Sequence, residues 1–341
     1  MTYYILIFSF ALICSFFVYE KNLLMVNNKF LALLFCGFLI LLAGLRYNIS
    51  SDYWSYYSLF YSNIEETRLE FLFKQLMLFC KNVFYSYNSL VFLVAFISIF
   101  TKGIYFTKLY NPFLAILIYI CIYFFDSDFN GIRQGIGIGF ALFAIEYGRK
   151  KKFLLYMLFI LIASSFHTAY LILIPFYFLC NKTINIKFSS FLFLMTILFI
   201  IRITVLNTIL RYFQSILISS GNGIIVQLSN YLGVGEFSIN LAILRRLFFI
   251  ILYLLFFGSK NLDIDFILYF MSFIICFMLS GNEIFAHRLS AVFDIFSIPL
   301  FARKRIPFTK KNSFLMIFFI GSLVVLYFGN PMKAALPYQS Y

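Results

Sequence analysis

Charged side chains are scarce in this 341-residue chain. Asp, Glu, Lys and Arg together make up 12% of the residues, whereas a soluble globular domain has about 25%. Hydrophobic residues supply 63%, so the composition excludes a soluble domain of any size. A net charge of +14 would suggest nucleic-acid binding in a soluble protein. Here the basic residues must first be assigned to the two sides of a membrane, and we predict no nucleic-acid partner.

Cysteine and histidine are also sparse, and their pattern argues against a metal site. The six cysteines show no Cys-x-x-Cys pair, and five of them lie in or beside apolar segments, where a thiol behaves as a small hydrophobic group. The two histidines do not lie near cysteines at ligand spacing. We therefore predict no metal and no cofactor.

Apolar segments recur along nearly the whole chain, separated by short polar loops. A helix needs about 20 largely apolar residues to cross the hydrocarbon core, and its backbone must be hydrogen-bonded there, so repeated segments predict a helical bundle. We predict an all-α, polytopic transmembrane bundle of about twelve spans, forming a single integral membrane domain over residues 1–341. The predicted spans are 2–19, 30–45, 88–107, 112–126, 131–147, 152–166, 168–180, 188–206, 240–257, 266–280, 288–302 and 313–328.

Lysine and arginine are unevenly distributed between alternate loops. One set of loops carries 16 of the 27 basic residues, including the clusters GRKKK and ARKRIPFTKK. Lys102 and Lys108 are assigned to this set, around the turn between the third and fourth spans. Cytoplasmic loops carry an excess of Lys and Arg, so we place this set in the cytoplasm and both termini outside. We interpret the clusters as topology determinants rather than binding sites.

Two long segments then face outward, residues 46–87 and 207–239. The first contains LEFLFKQLMLFCKNVF, whose apolar residues recur at helical spacing, which predicts an interfacial helix on the outer surface. The second is rich in Ser, Asn and Gly. Long loops in compact proteins are often binding loops or lids, so we predict that the outward face is the working side.

Ionisable residues gather at the outward ends of the predicted spans, where each is a functional candidate by default. Arg133, His167, Arg245, Arg246 and Arg288 fall near helix N-termini, where a cation is disfavoured by about 0.3–1 kcal/mol. An anion between them would remove this penalty, and helix N-termini and arginines both bind phosphate. We therefore predict a membrane-embedded phosphate or diphosphate ligand. The alternative is that each arginine extends to lipid headgroups or pairs with one of the acids Asp52, Asp126 and Glu283.

Two further features lie on or near the same face. His167, in SSFHTAY, is either a structural histidine or a base that accepts a proton from an attacking hydroxyl, and the sequence favours neither. NGIRQGIGIGF places Gly131, Gly135 and Gly139 on one helix face. Small residues at this spacing let two helices approach closely, and we favour this packing role over contact with a ligand.

Five segments share their order with one known family. They are GLRYNISSDYWSYY, FNGIRQGIGIGFALFAIEYGRKKK, ASSFHTAYLILIPFYF, FAHRLSAVFDIFSIPL and LPYQSY. Together they resemble the EpsG-type branch of the Wzy polysaccharide polymerases, nearly from end to end. The chain departs from that pattern at Phe293-Asp294, where a Tyr-Phe pair is expected, and residues 188–240 carry no matching signature.

The resemblance implies a bacterial inner-membrane glycosyltransferase that polymerises O-antigen, capsule or exopolysaccharide repeat units at the periplasmic face. The donor would be the growing chain on undecaprenyl diphosphate, and the acceptor would be the next lipid-linked unit. A hydroxyl of the acceptor would attack the anomeric carbon, and undecaprenyl diphosphate would leave. Membrane lipid is a further implied partner, and the resemblance allows for a chain-length regulator protein.

Residue roles follow from this implied chemistry. Diphosphate binding and leaving-group stabilisation are assigned to Arg133 and Arg288, with support from Arg46, Arg245 and Arg246. The base on the acceptor hydroxyl would be His167 or Asp52. Three alternatives stay open from the sequence: an O-antigen ligase-like transferase, a flippase for lipid-linked oligosaccharides, and a non-enzymatic scaffold of an export complex.

Overall fold

A computed structural model describes residues 2–21, 25–50, 52–62, 69–185, 187–202, 208, 212, 215, 240–281, 283–306 and 309–329. These residues are mainly helical, and Ile184 and Leu262 form an isolated antiparallel bridge. The all-α prediction is therefore confirmed for the described part. The chain divides into two compact units, one formed by Met1–Asn181 with Ile298–Tyr341 and the other by Lys182–Ser297. The single integral membrane domain stays a prediction.

The first unit contains most of the described helices. In chain order its α-helices are α1 (Thr2–Lys21), α2 (Met25–Gly44), α3 (Tyr53–Tyr61), α4 (Phe71–Phe79), α5 (Tyr87–Phe106), α6 (Pro112–Ile122), α7 (Ile132–Arg149) and α8 (Phe153–Phe166). The second unit contributes α9 (Phe188–Ile201), α10 (Leu241–Phe257), α11 (Ile264–Met278) and α12 (Glu283–Asp294), and the chain continues through α13 (Ser297–Ala302) and α14 (Lys310–Tyr327). The predicted outward segment 207–239 lies outside the described residues except at 208, 212 and 215.

The described helices differ in whether they are long enough to cross a membrane. Among the described residues, α5 and α14 are long and apolar enough to cross a bilayer, and α6 gives a third span if it is counted with the bent segment that follows it. Shorter apolar helices lie at several other predicted spans. The number of about twelve spans therefore stays a prediction. The predicted interfacial stretch LEFLFKQLMLFCKNVF forms α4 and a π-helical turn at Cys80–Phe84, and α3 precedes it in the same outward segment.

The predicted span 168–180 adopts a different helix type from the one expected. Residues Thr168–Leu179 form a 3₁₀ helix with Pro175 inside it. Proline has no N–H to donate, which removes one α-helical hydrogen bond. A 3₁₀ helix rises about 2.0 Å per residue, so these residues extend about 24 Å, whereas an α-helix of the same length would extend about 18 Å.

The predicted span 112–126 is bent rather than continuous, because α6 ends at Ile122. Asn111 caps its start, since the side chain accepts a hydrogen bond from the Leu114 amide at 2.9 Å. After Ile122 the chain bends by 66° into a π-helix at Phe124–Asn130, which we call the π segment. Helix α6 alone rises about 16 Å, roughly half the thickness of the hydrocarbon core.

Lys102 was assigned to a cytoplasmic loop, and the structure corrects this. It lies inside α5, its side chain is fully buried, and its Nζ atom is 2.7 Å from Asp128 Oδ2 in the π segment. Because Lys102 is ion-paired inside a helix and not in a loop, it does not indicate which side of the membrane the neighbouring loop faces. The assignment of sides therefore depends on the clusters GRKKK and ARKRIPFTKK.

Helix α7 packs closely against its neighbours through two of the three predicted glycines. A Cβ atom at Gly135 would lie 2.7 Å from the Ser127 carbonyl oxygen, and one at Gly139 would lie 2.1 Å from Thr101 Oγ1. Both positions therefore exclude any side chain, which supports the packing interpretation. A Cβ atom at Gly131 would make only an ordinary contact, at 3.5 Å.

Candidate functional site

Glu70 is the centre of a charged cluster in the first unit. Its Oε2 atom accepts a hydrogen bond from Arg133 Nη1 at 2.6 Å, and its Oε1 atom lies 3.3 Å from His167 Nδ1. The Glu70 side chain is 11% exposed. One largely buried carboxylate therefore links the first turn of α7 to the turn that follows α8.

An apolar core beside this cluster places Arg133 and His167. Ile132 and Phe166, the residues directly before Arg133 and His167, are buried in the same group of side chains as Tyr56 of α3 and Phe73 of α4. Because each polar residue follows a buried one, its side chain lies at the edge of this core. Helices α3, α4, α7 and α8 thus converge on one polar centre.

Tyr56 adds a neutral hydroxyl to the cluster. Arg133 Nε donates a hydrogen bond to the Tyr56 hydroxyl at 3.2 Å, and the guanidinium carbon lies 5.9 Å from the ring centroid. Burial raises the pKa of Tyr56, and the charge of Arg133 only partly opposes this shift. Tyr56 therefore stays protonated at neutral pH and can orient the guanidinium without neutralising it.

The charge state of Glu70 determines the hydrogen position on His167. Burial alone would raise the pKa of Glu70, but the hydrogen bond with His167 and the charge of Arg133 outweigh it and lower this pKa to about 2. An ionised carboxylate can only accept hydrogen bonds, so Nδ1 of His167 is the donor. The other ring nitrogen, Nε2, is then the basic atom of the neutral imidazole. The arrangement is an oriented imidazole beside a guanidinium group.

The other two candidates of the first outward segment, Arg46 and Asp52, have partners of their own. Arg46 is 2% exposed. It donates to the Ala43 carbonyl and, at 3.2 Å, to the Phe129 carbonyl, and its guanidinium carbon lies 5.0 Å from the Phe129 ring centroid. Asp52 directly precedes α3, where its carbonyl accepts from the Tyr56 amide at 3.1 Å, and it interacts electrostatically with the Tyr56 side chain.

In the second unit, Arg245 and Arg246 share the carboxylate of Asp294. Arg245 pairs with Asp294 Oδ2, and Arg246 Nε lies 3.2 Å from Oδ1. Arg246 is 1% exposed and also donates to Ser290 Oγ at 3.0 Å and to Cys276 Sγ at 3.2 Å. Two guanidinium groups therefore share one carboxylate between α10 and α12.

Arg288 lies at a cavity in the same unit. The cavity has a volume of about 650 Å³, and its lining combines the exposed side chains of His287 and Arg288 with the start of α10, Cys276 and Ala286. The α10 residues concerned are Asn240, Leu241 and Ala242. The cavity therefore offers the cationic group of Arg288 beside apolar surface, an arrangement suited to an amphipathic anion.

The acidic partners of the arginines differ from those predicted. Among the described residues, Arg133 pairs with Glu70, and Arg245 and Arg246 pair with Asp294, whereas pairing with Asp52, Asp126 or Glu283 was the expected alternative. The side chain of Glu283 lies outside the described residues. Asp294 is the residue at which the chain departs from the family pattern. A signal for Glu70 existed, because it is one of only 13 acidic residues and is the second residue of the amphipathic stretch in the outward segment.

A comparison with protein families gives one match. A family model described as the EpsG family matches residues 29–340. No curated protein and no solved structure gives a significant match.

Proposed function

This chain belongs to the EpsG family, and on that premise we propose that it polymerises oligosaccharide repeat units carried on undecaprenyl diphosphate. The family is associated with glycosyltransferase-like polysaccharide polymerases, and the apolar helices fit a membrane protein. The resemblance inferred from the sequence is thereby confirmed. We place the reaction at the periplasmic face of the bacterial inner membrane, where the arginine-bearing helix ends are predicted to lie.

The observation that carries this proposal is the Glu70 carboxylate held between His167 and Arg133. Nε2 of His167 accepts the proton of the acceptor hydroxyl, and the oxygen attacks the anomeric carbon of the donor. The bond from that carbon to the diphosphate oxygen breaks, and undecaprenyl diphosphate leaves with the electron pair. Glu70 stabilises the imidazolium that forms, as a carboxylate does when it orients a histidine base.

The arginines supply the positive charge that the leaving group needs. Arg133 has a side chain that is 30% exposed, so a ligand can reach it, and its guanidinium is suited to oxygen pairs. Arg288 provides a cation in the second unit, beside the apolar lining of its cavity. A lipid diphosphate carries both kinds of surface, an anionic head and an apolar chain. Arg133 belongs to the first unit and Arg288 to the second, so each arginine is tested by its own substitution.

A flippase needs no oriented proton acceptor, so the pairing of Glu70 with His167 favours a transferase. A ligase would use the same groups and would differ only in its acceptor. The glycan that a deletion strain makes distinguishes a polymerase, a ligase and a flippase. Loss of a polymerase leaves single repeats on the final acceptor. Loss of a ligase leaves polymer on the lipid carrier, and loss of a flippase leaves no glycan outside.

The test complements the deletion strain with His167→Ala, Arg133→Ala and Arg288→Ala, with protein level measured in the same membranes. Loss of one preorganised stabiliser of developing charge costs about 10²–10³ in rate, and loss of a general base costs about 10²–10⁴. Each variant should therefore yield only single-repeat product while its protein level stays close to that of the unmodified chain. Arg303→Ala is the matched control, because Arg303 is 21% exposed and pairs with Glu146 at 3.0 Å, away from this cluster. Long chains from both Arg133→Ala and Arg288→Ala would show that their assignment is wrong.

A further inference from the structure

Lys102 and Asp128 form an ion pair that the proposed chemistry does not use. Lys102 is 0% exposed and Asp128 is 2% exposed. The Lys102 Nζ atom lies 2.8 Å from Oδ1 and 2.7 Å from Oδ2 of the carboxylate. Neither residue contacts Glu70 or His167 among the described interactions, so the pair acts on something other than the reacting groups.

Three hydroxyl groups complete the surroundings of the Asp128 carboxylate. Ser98 Oγ donates to it at 2.5 Å, the Tyr119 hydroxyl at 2.5 Å and Ser127 Oγ at 3.0 Å. Ser98 and Lys102 belong to α5, Tyr119 to α6, and Ser127 to the π segment. One carboxylate therefore connects three consecutive elements.

This carboxylate holds together the two sides of the bend after α6. Tyr119 lies before the bend of 66° and Asp128 lies after it. An uninterrupted α-helix would place residues nine apart about 13.5 Å from each other along its axis, too far for their direct hydrogen bond. Apolar side chains often replace a buried ion pair without loss of stability, so stability alone does not account for this one. Our hypothesis is that the pair maintains a specific geometry.

This geometry affects the positions of two arginines of the candidate site, Arg46 and Arg133. Phe129, next to Asp128, provides the carbonyl that accepts from Arg46 at 3.2 Å. A Cβ atom at Gly135 would lie 3.2 Å from Asp128 Oδ1, so the first turn of α7 rests against the carboxylate. Arg133 belongs to that turn, and a shift of Asp128 therefore moves the guanidinium relative to Glu70.

We infer, resting on the proposed function, that Lys102 and Asp128 are a positioning pair that sets where Arg133 and Arg46 lie in the active site. Neither residue touches the substrate. The pair acts through the π segment, whose bend determines where α7 begins.

The test removes both charges at once in Lys102→Met/Asp128→Asn, because either single change leaves a buried charge without its partner. The double variant should accumulate to a level close to that of the unmodified protein. Misplacement of a reacting group by about 1 Å can cost about 10²-fold in rate, so we expect kcat per folded molecule to fall by roughly 10- to 100-fold with little change in KM for the acceptor. Tyr119→Phe keeps the ion pair and loses one hydrogen bond, and it should show a smaller fall in kcat.

A double-mutant cycle separates positioning from general damage. If the pair acts mainly through Arg133, combining Arg133→Ala with the double variant should lower kcat by clearly less than the product of the two separate effects. Lys150→Met/Glu146→Gln is the matched control, because it removes an ion pair from the other end of α7, and it should leave kcat unchanged.

Three results would overturn the inference. One is an unchanged kcat in the double variant, and another is a fall that multiplies with that of Arg133→Ala. The third is failure of both the double variant and Tyr119→Phe to accumulate, which would make the role purely structural. If Arg133→Ala itself polymerises normally, the proposed role of Arg133 fails. An inactive Arg133→Ala together with a fully active double variant refutes the positioning role alone.

Discussion

Substitution of Glu70 by glutamine would remove the charge at the centre of the candidate site while keeping its size. Arg133 can only donate hydrogen bonds, so the amide oxygen of the new side chain should face Arg133, where Glu70 Oε2 now lies at 2.6 Å. The amide NH₂ group would then face Nδ1 of His167. That nitrogen would have to accept, and the ring hydrogen would move to Nε2. His167 would lose the basic atom that receives the proton of the acceptor.

The substitution should have two separate effects, one on the polymerisation rate and one on the free energy of unfolding. General-base catalysis contributes about 10²–10⁴ in rate, so Glu70→Gln should lower the polymerisation rate by about that factor. The Glu70 side chain is 11% exposed, and a hydrogen bond to a charged group contributes about 1.5–3 kcal/mol. We therefore expect the free energy of unfolding to fall by about 1–3 kcal/mol, too little to abolish accumulation.

The assay measures repeats added per folded molecule to a lipid-linked acceptor by the purified, reconstituted chain. Glu146→Gln is the matched control, because Glu146 is 12% exposed and pairs with Arg303 at 3.0 Å and Lys150 at 3.6 Å. It should lose comparable stability and keep its rate. If Glu70→Gln works within about threefold of Glu146→Gln, well short of a base effect, Glu70 has no part in the chemistry.

Two further predictions concern stability. The pKa of Glu70 is lowered from 4.5 to about 2, so the stabilisation by its ionised form is fully present above pH 4.5 and is lost as the pH falls through about 2. The melting temperature of the unmodified chain should therefore drop over this range by more than that of Glu70→Gln, and equal drops would contradict the pairing. At Gly139 an added Cβ atom would meet Thr101 Oγ1 at 2.1 Å, whereas one at Gly321 would have no neighbour within 4 Å. Gly139→Ala should destabilise by about 1–3 kcal/mol and Gly321→Ala should not, as measured by thermal unfolding in the same detergent.

The all-α class and the approximate helix positions could be predicted from the sequence, because apolar length and helical spacing are local properties of the chain. The predicted segments 88–107 and 131–147, for example, correspond to α5 at Tyr87–Phe106 and α7 at Ile132–Arg149. The family could also be recognised, since its motifs are short and keep their order. The break in α6 after Ile122 was not predicted, because the apolar run continues through Phe125 without a local signal.

The sequence by itself thus determined the class of fold, the family and the candidate residues Arg133 and His167. Only the tertiary structure decided their partners. Glu70 is 63 residues from Arg133 and 97 from His167 along the chain, and Lys102 is 26 residues from Asp128. Such pairings depend on which helices pack together and how far each is rotated. No local pattern specifies this, because the apolar residues that drive the packing are nearly interchangeable along the chain.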